Sequence, residues 1–443
     1  MVAFEGLISN LDTTMNELAT SVLAYARRCT EGGEAEANRS PEFDQLLIAA
    51  ARNAARYAGS LAALAAGRNP KIQLLDCRNH VRAFLSRSQF AARLPTDLKQ
   101  ATRFSEALWA ELNRADCTVT SLVLLDGLDL PTPEIIFSGG RLVELDEAFL
   151  QAWFRGSPVP GTVAVARLTG VAAVEVAVRA HTPPWGPSYF DWDSDARMTK
   201  RTALPWLTYI NLFETGKCAP IGMYQHSDSL LHEDEWRAVG VQEPMWETRS
   251  GYDGVDEYEY EELYRTLPID EAEAVRIHLD ALEAGRRVAS GHTHRVETAL
   301  RFFDRVSELY VGEQIVSLGD NMDVNEDVVI DAVAGLEAIF LANEKRGKGQ
   351  AIGMRASVIL ESDIGLQRNI RKQLLDLYAH RSAILHGDAR ATRDALKQSA
   401  LTGERLLRRS LVAFCRLGGD HARVVAAATD PATAEAVRRQ LSA

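Results

Sequence analysis

The sequence predicts an α+β fold, mainly α, on three observations. Apolar residues recur at a helical period up to about residue 115. The period becomes that of strands between about 117 and 180. From about 293 the helical period returns and persists, with short links between segments, as in a helical bundle. At ordinary domain sizes, 443 residues divide into two or three domains. The expected divisions are a helical N-terminal region (1–115), a mixed α/β region (116–290), a helical bundle (291–425) and a C-terminal tail helix (426–443).

The first helix is expected through Phe4, Leu7, Ile8, Leu11, Met15 and Leu18. Ser40-Pro41-Glu42 starts another, with Ser as cap and Pro in the first turn, and an Ala-rich run continues to Gly67. Thr96-Asp97 starts a third, which carries Leu108, Trp109 and Leu112. CTVTSLVLLDG has strand composition, and EIIFSGGRLVEL is a hairpin pattern with Gly139-Gly140 at the turn. TVAVARLTGVAAVEVAVRA alternates Val with Ala, Glu or Arg, with a further turn at Thr169-Gly170. PPWGPSYFDWDSD has loop composition, and residues 199–215 predict a helix interrupted near Pro205. The acidic stretch from about 227 to 273, which includes DGVDEYEYEELY, is expected as a solvated insertion.

The later helices follow in turn. Val296, Leu300, Phe303, Val306 and Tyr310 mark one. Asn325 is placed to cap the next, with Glu326 and Asp327 favouring its N-terminal dipole. After the basic loop EKRGKGQ comes a shorter helix with Ile352, Ala356 and Ile359. Ile370, Leu374, Leu377, Tyr378, Ile384 and Leu385 mark a further helix, with Gly387 placed to end it. A long helix from about 390 to 417 completes the bundle.

The net charge of -12 argues against a generic polyanion binder. Nearly all the excess acid lies before about residue 290, so a nucleic-acid site is more plausible late in the chain. Five scattered cysteines without a C-x-x-C pair indicate neither a zinc knuckle nor a disulfide framework. His292-Thr-His294 lacks the accompanying carboxylate or cysteine spacing of a metal site. The start has no basic region before an apolar run, and no apolar segment is long enough to span a bilayer, so a cytoplasmic protein without a membrane partner is expected.

Within YAHRSAILHGD, Arg381 and His386 are separated by four residues. The same spacing joins Arg287 to His292 and Arg416 to His421, but only the 381–386 pair lies inside a strong apolar periodicity. On a straight helix the two side chains stand about 140° apart with ~7.5 Å of rise, so they do not share a face. A distorted helix end or a second copy of the helix must bring them to one phosphate, and a two-fold dimer supplies that copy. The chemistry then needs no metal and no cofactor. RNA carries its own nucleophile, the 2′-hydroxyl. A histidine can take its proton or protonate the leaving oxygen. An arginine can neutralise charge building on the phosphate. The products are a 2′,3′-cyclic phosphate and a 5′-hydroxyl. The bland alternative is a solvated or ion-paired arginine and a histidine stabilised at a helix C-terminus.

AVAGLEAIF (332–340), a short basic loop, a helix, and LLDLYAHRSAILHGD (374–388) together resemble the Apea-like branch of the HEPN superfamily. The resemblance covers roughly residues 290–420, and PWLTYINLFETGKCAPIG (205–222) resembles segments that precede this domain. It implies a dimerising all-α bundle and, for active members, metal-independent endoribonuclease activity on transfer RNA or other cellular RNA, often in antiviral or abortive-infection defence. By position, Arg381 and His386 match the catalytic pair. Ser382 stands where many members carry Asn, Asp or His, and retains a hydrogen-bonding group. Glu337, in the matching LEA helix, is expected to orient Arg381. Tyr378 is expected to pack, with base stacking as its other role. Residues 1–290 then act as sensor or regulator for a trigger of unspecified chemistry. The rival expectation is a catalytically inactive dimer serving as an interaction or nucleic-acid-binding scaffold.

Overall fold

The computed structural model describes residues 2–54, 71–126, 128–153, 169–181, 202–213, 218–231, 237–238, 265–266, 272–288, 293–316, 322–341, 344–386 and 392–442. The fold is α+β and mainly α. The acidic DGVDEYEYEELY stretch, PPWGPSYFDWDSD, the Ala-rich run after residue 54 and Gly387 lie outside the described residues.

The longer helices among the described residues at the start are α1 (Val2–Gly32), α2 (Pro41–Asn53), α3 (Lys71–Arg87) and α4 (Leu98–Leu112), with a single turn at Glu34–Ala37 between the first two. The expected caps are in place. The Ser40 side chain accepts from the Phe43 amide, and Asp97 accepts from Gln100. Tyr25, Phe43, Phe84 and Phe90 fill a separate core between these helices, into which Leu231 also inserts. Arg87 ties this layer to the sheet by donating to the Ser227 and Ser229 carbonyls at 3.1 and 2.6 Å.

The main sheet contains β1 (Asp116–Asp126), β2 (Glu134–Phe137), β3 (Gly140–Glu144), β4 (Ala172–His181), β5 (Ala219–Ser227) and β6 (Arg237–Ala238). Their order is β2-β3-β4-β1-β5-β6, with every pairing antiparallel. Both faces of β1 are covered, which explains its unbroken apolar run. Leu122 and Leu124 meet Leu150 of α5 (Glu147–Trp153), while Val123 and Leu125 point to the bundle side. Alanines in β4 do not prevent a full ladder with β1 from Asp116–His181 to Leu125–Ala172. Thr169-Gly170 is a turn, with Gly170 at φ +86.

The hairpin turn differs by one residue from expectation. Phe137 pairs with Gly140, so Ser138-Gly139 forms the two-residue loop and Gly140 begins β3. The Trp206 indole explains glycine at the turn, because a Cβ on Gly139 would stand 1.9 Å from its ring. Helix α6 (Leu204–Leu212) starts at Leu204 with Pro205 in its first turn, rather than continuing across it.

The bundle comprises α7 (Ala272–Val288), α8 (Thr293–Val316), α9 (Met322–Phe340), α10 (Lys348–Leu360), α11 (Ile364–His386), α12 (Arg393–Arg416), α13 (His421–Ala427) and α14 (Pro431–Ser442). Asn325 does not cap α9. The helix already begins at Met322, and Asn325 is buried inside its first turns. Leu385 is exposed rather than core, because only Ile370, Leu374 and Leu377 of α11 are fully buried. A single core runs from Val123 and Trp206 through α7 to Val437, joining sheet and bundle. Five free cysteines are all buried. Among the described residues no helix is long and apolar enough to cross a membrane.

Helix α7 links sheet to bundle. Its Asp280 accepts from the Ser138 amide at 2.7 Å. Its buried His278 places Nε2 2.9 Å from the Tyr209 carbonyl oxygen. Burial, with lesser contributions from Arg416 and Arg408, lowers the His278 pKa to about 4. The folded chain takes this proton only near pH 4, whereas the unfolded chain takes it already near its ordinary value of about 6.5. Acid between these values therefore favours unfolding. Stability is expected to fall by a few kcal/mol between about pH 6.5 and pH 4, since each tenfold difference in proton affinity is worth roughly 1.4 kcal/mol. Urea melts across that range should show the fall, and a His278→Gln variant should lack that component.

Candidate functional site

The candidate site is built where the end of α9 meets the C-terminal half of α11. Ile370, Leu374 and Leu377 pin α11 against the core. Arg381 follows Leu377 by four residues and so continues the inward stripe at its edge. Its side chain is half-buried, and its Nε is buried without a hydrogen-bond partner. No carboxylate pairs with it among the described residues. Its guanidinium carbon stands 5.8 Å from the centre of the Tyr378 ring, which acts as its platform.

Tyr378 is held in turn. Its hydroxyl donates to Glu337 Oε1 at 3.0 Å. Its ring lies against α10, where a Cβ on Gly349 would stand 3.1 Å from Cγ. Burial raises the Tyr378 pKa, the Glu337 hydrogen bond and charge raise it further, and Arg381 opposes them. Lys348 places Nζ 3.9 Å from the same Glu337 oxygen. Glu337 thus reaches Tyr378, not Arg381; it acts on the arginine through the ring that carries it. Tyr378 is half-buried, packed against Gly349 of α10 and beside Arg381.

His386 is the last residue of α11 and is exposed. Ser382 is half-buried, with no hydrogen bond from its side chain among the described residues. Leu375, Ala379, Ser382 and His386 follow one another at spacings of four, three and four, so they form one stripe along α11. Leu375 is 43% exposed, and Ile364, further back on the same side, is 65% exposed. Arg381 lies on a different side of the helix from this stripe, as the spacing predicts.

The other two Arg-x4-His pairs offer no comparable arrangement. Arg287 is paired with Glu283 at 3.0 Å, and His292 lies outside the described residues. Between Arg416 and His421 the chain leaves the helix through Gly418 and Gly419, at φ +65 and +66. Among the described residues no group of three or more His, Cys, Asp or Glu is placed to hold a metal ion. Two neighbours escaped sequence reasoning. Lys348 belongs to α10 and not to a loop, and His380 places Nδ1 2.5 Å from Ser399 Oγ, fixing α11 to α12. Neither has a local sequence signal beyond its charge or ring.

No protein-family model, curated protein or solved structure matches the chain.

Replacing Tyr378 by Phe keeps the ring beneath Arg381 but strands the Glu337 oxygen, at an expected cost of about 1 kcal/mol. Tyr378→Leu also removes the platform and is expected to cost more. Urea denaturation of both variants beside the native chain checks the order.

Proposed function

We propose that the chain is a metal-independent endoribonuclease of the HEPN type, acting as a homodimer on cellular RNA, with transfer RNA among its substrates. The observation that carries this reading is the state of Arg381. A half-buried guanidinium on an aromatic platform, without a carboxylate partner among the described residues, is suited to a phosphate.

His386 supports the same reading. It is exposed at the helix end, where an RNA strand can reach it, and among the described residues no main-chain carbonyl takes its ring. Its separation from Arg381 around α11 directs the pair to two different chains. The stripe of Leu375, Ala379, Ser382 and His386 meets its copy across a two-fold axis, and His386 of one protomer works with Arg381 of the other. Histidine moves the proton of the 2′-hydroxyl or of the leaving oxygen, while arginine neutralises the phosphate. The N-terminal helices and sheet serve as the sensing or regulatory part, in keeping with a defence effector.

Purified protein incubated with total cellular RNA is expected to cut it equally with and without EDTA. The fragments should carry 2′,3′-cyclic phosphate and 5′-hydroxyl ends. An Arg381→Ala/His386→Ala variant should be weaker by about 100-fold or more. No cutting by either protein, together with equal growth of cells overexpressing each, would leave the non-catalytic scaffold.

A further inference from the structure

A cleft of about 830 Å³ opens between α10, α12 and α14, with α6 and α7 at its inner wall. That volume lies within the range of roughly 300–1,000 Å³ typical of small-molecule sites. Its apolar wall includes Phe213, Ile359, Val412 and Leu441. Its charge is one-sided. Among the described residues lining it are five arginines and two glutamates.

Both glutamates are already engaged. Glu361 takes Arg409 at 2.7 Å, and Glu435 is shared between Arg438 at 3.2 Å and Arg439 at 3.4 Å. Arg408 is the most buried of the five arginines, 7% exposed, with its guanidinium over the Phe303 ring at 5.5 Å. One of its terminal nitrogens pairs with Glu404. Its Nε and Nη1 are buried and have no partner. Arg416 donates from Nη1 to the Leu441 carbonyl at 3.1 Å, and its Nε is likewise buried without a partner.

Unpartnered nitrogens on a buried cation are costly. These atoms have almost no surface open to the cleft, so an anion seated there answers the charge of the guanidiniums rather than bonding these nitrogens. Arginine forks match phosphate oxygens in pairs. The positive surplus suits a group with more than one negative charge. The volume and the apolar wall leave room for a body that inorganic phosphate lacks.

We propose that this cleft binds a phosphorylated small molecule of nucleotide size. The phosphate sits among Arg408, Arg409 and Arg416, and the planar or apolar body lies along the wall of Phe213 and Val412. The site is distinct from the one on α11. Along α12, Arg408 to Arg416 lie 9 to 17 residues beyond Ser399, the neighbour of His380, or about 14–26 Å along the helix. The inference does not rest on the ribonuclease reading.

Titration calorimetry and thermal melting of the full chain with ATP, AMP and inorganic phosphate test it. At least one nucleotide should bind saturably and raise Tm, and should bind at least ten-fold more tightly than inorganic phosphate. Two variants with native circular dichroism serve as controls. Arg409→Ala/Arg439→Ala removes exposed cations from the rim, and Val412→Trp fills the cleft while leaving its charges. Each should weaken nucleotide binding ten-fold or more. Binding of neither nucleotide, inorganic phosphate binding as tightly as the nucleotide, or nucleotide binding unchanged in both variants would each overturn the proposal. So would binding by RNA oligonucleotides alone.

Discussion

The enclosure of α9 sets the positions of the chemistry-bearing residues in the bundle. Val328, Val329, Ala332, Val333, Leu336, Ile339 and Phe340 are all buried, so the helix offers little surface to solvent. Its last carbonyls, which have no partners within the helix, still need donors. Arg295 donates to the Ala338 and Leu341 carbonyls at 3.0 and 2.6 Å, and Arg355 donates to the Phe340 carbonyl. Two cations at a helix C-terminus also oppose its negative dipole end. With that end fixed, Glu337 has one orientation, and Tyr378 and then Arg381 are placed by it.

The bundle offers two arginine-centred features at different levels of α12. Near its start, His380 and Ser399 join α11 to α12 below the Arg381 platform. Towards its end, Arg408, Arg409 and Arg416 line the cleft. The two share a helix but no residues. The sheet meets α6 where the Trp206 ring centre lies 4.4 Å from that of Phe137, and α6 meets α7 where His278 faces the Tyr209 carbonyl and helps to form the cleft wall.

Local signals are legible in the sequence where the physics is local. Ser40 and Asp97 cap the helices they are expected to cap, because a short oxygen side chain before an apolar run has few other uses. The strand period over SLVLL and the helical stripe over Ile370, Leu374 and Leu377 follow from burial on two faces and on one. The failures lie where register or tertiary contact decides. The hairpin shifts by one residue because Trp206, far along the chain, occupies the space over Gly139. Asn325 has the chemistry of a cap, but α9 starts earlier. The family resemblance leads one to expect Glu337 on Arg381, and only the fold reveals Tyr378 between them. The cleft has no legible signal, since Phe213, His278, Arg408 and Arg439 come together from four separate helical segments.

The proposed ribonuclease needs Arg381 and His386 in one site made by two chains. Mixing Arg381→Ala chains with His386→Ala chains, co-refolded so that mixed dimers form, tests this most directly. Each variant alone should be inactive. A random mixture should regain about a quarter of native RNA cleavage, because half the dimers then hold one intact site of two. Mixed dimers that form and remain inactive would contradict the account.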